Sequence, residues 1–333
     1  MPELRLAVVI PVHNGAATLP RCLAAVRASR GVAFEVIVVD DGSTDATAAL
    51  VAADPAIRRL RHERPRGAAA ARNAGVAAAR APVVCFVDAD VVVGPDLLAA
   101  ADQSLRQSGA DGVVGMLGRA TEARNFASRY ENLYMHFMFA HHADEMDFLF
   151  TSFAAIRRDV FLEAGGFDEA YAGAGIEDME LGQRLVGAGR RLRLDKRLEV
   201  LHLKRFGVWQ LLRTNRRKAA GTLRIALRNR RQGRRSRKHV GPGWAFLAGI
   251  PLTGAALVLG AAGAVGGGRP ALVGALGLLG LTAALNAGFL SFLARTEGLR
   301  FLVAAIPFLY VQFVNYGLGL AEGLAGYLAG RQY

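Results

Sequence analysis

The sequence predicts an α/β protein: a doubly wound, mainly parallel sheet followed by a C-terminal transmembrane helical region. Three observations predict it. Short apolar runs alternate with helix-patterned stretches over the first ~200 residues. Acidic clusters stand at the ends of those runs. Three long stretches near the C-terminus hold no charged residue, and a block of cations precedes them.

The elements follow in order. Residues 6–10 form an apolar strand ending at Pro11, followed by a helix over 18–30. Residues 34–39 are a second strand, closed by Asp40-Asp41-Gly42-Ser43, with a helix over 45–53. An Ala-rich helix over 68–80 leads to a third strand, 83–87, which ends in Asp88. Apolar strands joined by helices imply a parallel sheet covered on both faces. Ligands bind such sheets at the carboxyl ends of the strands, where these acids fall.

Hydrophobic residues make up 52% of the 333 and charged residues 21%, with mean hydropathy +0.24. Stretches 244–268, 270–294 and 301–321 are uncharged. Each is long enough for the ~20 residues that cross a bilayer core, so three crossings are expected. The net charge of +13 is concentrated: residues 203–240 carry 14 Lys/Arg and no acid. Directly before apolar spans, such a block fits anionic membrane lipids and a cytoplasmic placement. It argues against nucleic acid as partner. The amphipathic run from Trp209 reads as an interfacial helix. Residues 1–5 show no cleavage signal, so the N-terminal domain is expected on the cytoplasmic side of a multi-pass cell-membrane protein, with Tyr333 outside. The organisation expected is a transferase domain over 1–205, a basic interface over 206–243 and membrane helices over 244–333. Cys22 and Cys85 form no disulfide framework, and Cys85 reads as a buried apolar residue.

The chemistry starts with Asp88-Ala89-Asp90. Residues two apart in extended chain face the same side. Two carboxylates aimed together need a counter-charge, such as Mg²⁺ or Mn²⁺ shared with diphosphate oxygens. The bland reading is a solvated, capping turn. Asp40 and Asp41 can accept from a base or ribose, or cap the following helix. Glu177 and Asp178 follow a glycine-rich loop, at the start of a helix. A helix N-terminus favours an ionised carboxylate, the form a general base needs. The bland reading here is again helix capping.

Val9-Ile10-Pro11-Val12-His13-Asn14, Asp40-Asp41-Gly42-Ser43-Thr44-Asp45, Ala71-Arg72-Asn73-Ala74-Gly75, Asp88-Ala89-Asp90, Gly165-Gly166-Phe167-Asp168-Glu169 and Glu177-Asp178 stand in one order. In that order the sequence resembles the family 2 glycosyltransferases over about residues 5 to 205. The resemblance implies a GT-A fold, a nucleoside-diphosphate sugar donor, a divalent metal and inversion at the anomeric carbon. It places Pro11, Asn14, Asp40, Asp41, Arg72, Asn73 and Asp88 against the donor, with Asp90 and His202 on the metal. Asp178 becomes the base, with Glu177 beside it. Processive synthases of the wider family carry Q-x-x-R-W; this chain has Gln210-Leu-Leu-Arg213-Thr214. Transfer of one sugar to a lipid-linked or membrane-proximal acceptor is therefore expected. A processive polysaccharide synthase and a non-catalytic nucleotide-binding membrane protein are the alternatives.

Overall fold

The computed structural model describes residues 3–171, 176–231 and 243–330. The strands are β1 (Leu6–Val12), β2 (Phe34–Asp41), β3 (Ile57–His62), β4 (Val83–Val87), β5 (Val91–Val92), β6 (Gly112–Leu117), β7 (Glu145–Met146), β8 (Phe153–Arg157) and β9 (Leu192–His202). Helices α1 (Leu19–Arg27), α2 (Thr47–Ala52), α3 (Ala68–Ala78), α4 (Leu97–Ser108), α5 (Phe126–Ala140), α6 (Arg158–Glu163) and α7 (Glu177–Gly187) cover the sheet. Beyond it come α8 (Val208–Arg231), α9 (Trp244–Ala262), α10 (Gly268–Leu285), α11 (Ala287–Glu297) and α12 (Leu299–Leu328).

The sheet order is β3-β2-β1-β4-β8-β6-β9-β5, with β7 beside β9. β3, β2, β1 and β4 are parallel, as the alternation of strands and helices predicts. β8 departs from that pattern: it enters antiparallel between β4 and β6, while β6 and β9 run parallel. Its sequence, Phe-Ala-Ala-Ile-Arg, is as apolar as a parallel core strand and carries no mark of direction. β1 and β4 are buried along nearly their whole length, because helices close both faces. On α1, Leu19, Cys22, Leu23 and Val26 are buried at helical spacing. Both cysteines are buried, and burial pushes the Cys85 thiol up to about 12, leaving it unreactive.

The carboxyl ends of β1, β2 and β4 lie together because the three strands are parallel and in register, Val12 opposite Asp40 and Val9 opposite Phe86. Gly42 turns the chain after β2 with φ +66°, where a Cβ would strike the backbone at Arg64 and Pro65.

Among the described residues three helical segments are long and apolar enough to cross a membrane: Trp244–Gly266, Gly268–Leu285 and Leu299–Leu328. The second differs from the sequence expectation. The stretch 270–294 is two helices, broken at Asn286, whose side-chain N–H donates to the Thr282 carbonyl at 2.9 Å. α11 then turns back under the sheet domain, where Phe289 and Leu293 join Tyr130 and Leu133 of α5 in one apolar cluster. α8 carries the expected amphipathic character. Leu211 and Leu212 enter that cluster, and Ile225 packs on Tyr171 and Ile176. The glycine loop at 173–175 and the basic residues at 232–240 lie outside the described residues.

Candidate active site

The strand ends open into a cavity of about 450 Å³. Pro11, Asn14, Asp41, Arg72, Asp88, Asp90, Glu177, Asp178 and His202 all line it. Asp90 and Asp178, far apart in the chain, face the same concavity.

Two of the expected donor contacts lie elsewhere. Asp40 is buried behind the turn, accepting from the Ser43 N–H at 2.9 Å. Asn73 exchanges two hydrogen bonds with Phe167, both 2.9 Å, and so ties the Gly165–Phe167 loop to α3. Both residues shape the site from outside its lining.

At the β1 end, Asn14 has φ +51°, a left-handed conformation that Asn tolerates better than most residues. Its N–H donates to Ser43 Oγ at 2.9 Å, and its Oδ1 accepts from the Thr44 N–H at 2.8 Å. These bonds stitch the β1 and β2 loops together. Asp41 is held from three sides: His62 Nδ1 lies 2.7 Å from Oδ1, and the N–H groups of Arg66 and Gly67 donate at 2.9 and 2.8 Å. Burial pushes the Asp41 carboxyl up, but His62 and the two N–H groups outweigh it and hold it below its usual range.

Arg72 is the hub. Its guanidinium donates to Asp88 Oδ1 and to Glu177 Oε1, each at 2.9 Å. Ser152 Oγ donates to Asp88 Oδ2 at 2.8 Å. Arg72 and Glu177 are both buried, so this chain of charges works with little solvent screening. It holds the ends of β4 and α7 against α3.

Asp178 differs from the sequence expectation. It is half-buried and lines the cavity. Burial, joined by the neighbouring Glu177 charge, pushes it well above the usual carboxylate range, outweighing Arg72 and Lys218. The helix N-terminus does not keep it acidic, because desolvation is the larger effect.

Asp90 Oδ1 and His202 Nε2 stand 3.4 Å apart, brought together where Val91 pairs with His202. Burial raises the Asp90 carboxyl, but His202 and Lys204 outweigh it and lower it overall. A carboxylate oxygen and an imidazole nitrogen suit a divalent cation. Among the described residues no group of three or more His, Cys, Asp or Glu forms a metal cluster. The pair therefore fits a cation whose remaining ligands come from substrate or water.

Lys204, Lys218, Ser152 and Glu131 also line the cavity. Sequence reasoning missed them. Lys218 was hidden in the cation block, where only its place on α8, on the turn facing the cleft, sets it apart.

A family model described as glycosyl transferase family 2 matches residues 7–165. The succinoglycan biosynthesis protein ExoO of Rhizobium meliloti is 47% identical over 92 residues, 27% of this chain and 26% of that protein. The pre-mycofactocin glycosyltransferase of Mycobacterium tuberculosis is 32% identical over 209 residues, 59% of this chain and 42% of that protein. The chain thus spans less than half the length of these two curated relatives. Among solved structures, the mannosyltransferase PcManGT of Pyrobaculum calidifontis, in complex with GDP-Man and Mn²⁺, superposes with TM-score 0.60 at 19% identity. The match covers 98% of this chain and 88% of that one. GalNAc-T7 with UDP, GalNAc and Mn²⁺ gives TM-score 0.50 at 19% identity over 67% of this chain and 47% of that one. Residues 7–165 thus match the family 2 glycosyltransferases, the sheet domain has the GT-A fold of its structural neighbours, and apolar helices long enough to cross a membrane follow it.

Proposed function

We propose that the chain transfers a sugar from a nucleoside-diphosphate sugar to a hydroxyl of a lipid-linked or membrane-proximal acceptor, with inversion. The observation that carries this reading is the single cavity faced by Asp41, Asp88, Asp90, His202 and Asp178. Asp41 and the Asn14 loop receive the nucleoside, and Asp88, fixed by Arg72 and Ser152, receives the ribose or sugar. Asp90 and His202 would hold a divalent metal ion. Such an ion, bound there, offsets charge on the departing diphosphate. Lys204 and Lys218 add positive charge to the same cleft. Asp178 takes the acceptor proton as the acceptor oxygen bonds to the anomeric carbon. The bond from that carbon to the phosphate oxygen breaks on the opposite face, which inverts the centre. Glu177, spent on Arg72, positions Asp178 and Asp88.

A membrane-proximal acceptor is favoured by what builds the far wall. Ser128, Glu131, Asn132 and Phe206 line the cavity, and they belong to α5 and the link into α8. The same segments carry the apolar cluster shared with α11 and α12. An acceptor reaching this wall arrives along the membrane side of the domain. The catalytic domain then lies in the cytoplasm, with anionic lipids against the basic face of α8.

The test incubates membranes holding the chain with a panel of nucleotide sugars and follows lipid-extractable product by mass. One product gaining a single hexose-class residue is expected; a ladder of lengths would indicate a processive synthase. Chelation should abolish product, and Asp90→Ala should lower turnover by at least 100-fold with bound nucleotide retained. Metal-dependent transfer that survives both Asp90→Ala and Asp178→Asn unchanged would overturn the reading.

A further inference from the structure

α12 is apolar enough to cross a bilayer, but its packing runs in another direction. Its 30 residues span about 45 Å at ~1.5 Å per residue, well beyond a ~30 Å hydrocarbon core. One face is buried on protein from Phe301 to Gly323. Near its start, Phe301 and Phe308 pack on Phe126 of α5, with ring centroids 5.0 and 5.2 Å apart. Its second half lies side by side with α8. The Asn315 side chain donates to the Leu212 carbonyl at 2.8 Å, and Arg216 pairs with Glu322. Gly319 and Gly323 press on Arg216 and Ala220 so closely that a Cβ would strike their carbonyls.

α8 fixes the depth of this pair. Arg213 and Arg217 are exposed on it, and an arginine at the bilayer centre costs about 2.5–3.5 kcal/mol on the translocon scale. α8 also packs on the sheet domain through Ile225, and its Arg228 pairs with Glu180. It therefore lies at the polar boundary, and α12, strapped along it, lies at the same level.

The α9–α10 hairpin supplies a second, independent observation. It meets α12 near the middle: Phe246 packs edge-on against Phe313 and Tyr316, Gly249 faces Phe313, and the Tyr310 hydroxyl donates to the Leu279 carbonyl at 2.8 Å. Farther out, Val258, Val265, Val273 and Leu276 are exposed. A third span bundled with the hairpin would touch it along its length. The free face of α12 exposes apolar side chains from end to end, Leu299, Val303, Val311, Val314, Leu318 and Leu328, with exposed Arg300 and Glu322 the charged residues among them. That is the form of a helix lying in the plane of a membrane surface.

We infer that α12 is an in-plane helix whose stripe rests in the headgroup–acyl boundary of the leaflet facing the sheet domain. Among the described residues only α9 and α10 cross, and the end of α12 returns to the catalytic side. This rests on packing and does not depend on sugar transfer. The partner is the lipid surface.

The test uses the full chain in membranes, with single cysteines placed at Ala329, at Val265 on the hairpin tip and at Gln107 on the sheet domain. Cys22 and Cys85 are buried and give a dark background. An impermeant maleimide is applied to right-side-out and inside-out vesicles. Ala329→Cys is expected to label in the same preparation as Gln107→Cys, and Val265→Cys in the opposite one. Labelling of Ala329→Cys alongside Val265→Cys would mean three crossings and overturn the inference. Spin labels at Val303, Val314 and Leu328 give a second readout. Equal, shallow accessibility to oxygen supports the in-plane helix, whereas a deep maximum at Val314 with shallow ends overturns it. Oxidative cross-linking of Val311→Cys between two copies would also overturn it, by showing that another chain covers the stripe.

Discussion

Asp178→Asn should lower turnover by about 10² to 10⁴, the range expected when a positioned general base is lost, while the donor KM stays within a few-fold. Asn keeps the size of the side chain and its place at the head of α7, so donor contacts from Asp41 and Asp88 survive. A loss of threefold or less would remove Asp178 from the reaction. The pH profile carries the same signature. Burial and Glu177 push the Asp178 carboxyl above the ordinary carboxylate range, and only its ionised form accepts a proton. The wild-type kcat/KM should therefore rise with pH along a limb that sits above that range. An acid limb in the ordinary range would contradict the burial described here. Stability runs the other way. A carboxyl with a folded-state pKa above its unfolded value holds its proton more tightly when folded. Stability then falls as pH rises from the unfolded to the folded pKa. Asp178→Asn removes that penalty, so the inactive variant should melt slightly higher than wild type at neutral pH, a trade of stability for activity.

Arg72→Met should be the most destabilising single change in the sheet domain, by about 3–5 kcal/mol, because it leaves the buried Glu177 carboxylate, and the half-buried Asp88 beside it, without their counter-ion. Glu177 and Asp88 would then face each other across an apolar side chain with only Ser152 to satisfy one oxygen. A urea or thermal midpoint of the purified chain in detergent reads the effect. Adding Glu177→Gln to Arg72→Met should recover part of the loss, since one of the orphaned charges disappears. A shift below about 1 kcal/mol would mean that water reaches the trio and screens it.

The parts of the fold visible in the sequence were those with strong local signals. β1, β2 and β4 are uninterrupted apolar runs that end in acids, and Gly42 marks the turn that those acids need. The membrane helices announce themselves by lack of charge. β8 was opaque because a fully buried strand has the same composition whichever way it runs; its direction is set by β4 and β6 on either side. The break at Asn286 was opaque too. One Asn in an apolar run neither forces nor forbids a helix, and the turn there follows from the fit of Phe289 and Leu293 on α5. Within the site, the acids were legible because strand ends concentrate ligand contacts. What Asp40 and Asn73 touch was not. Both carry groups equally able to bind a ligand or to brace a loop, and only the position of Ser43 and Phe167 decides. The upward push on the Asp178 carboxyl was not legible, because a helix terminus can be read along the chain, whereas burial of a carboxyl cannot.

The apolar cluster that joins Ala127, Tyr130 and Leu133 to Leu211, Phe289 and Phe308 has a practical consequence for anyone wishing to isolate the sugar-transfer half. A polypeptide stopped at Arg205 would shed α8, α11 and α12 together and turn that aromatic face toward water. Exposed patches of this kind drive self-association. Such a fragment is expected to clump in plain buffer, and to stay dispersed only when detergent takes the place of the missing helices.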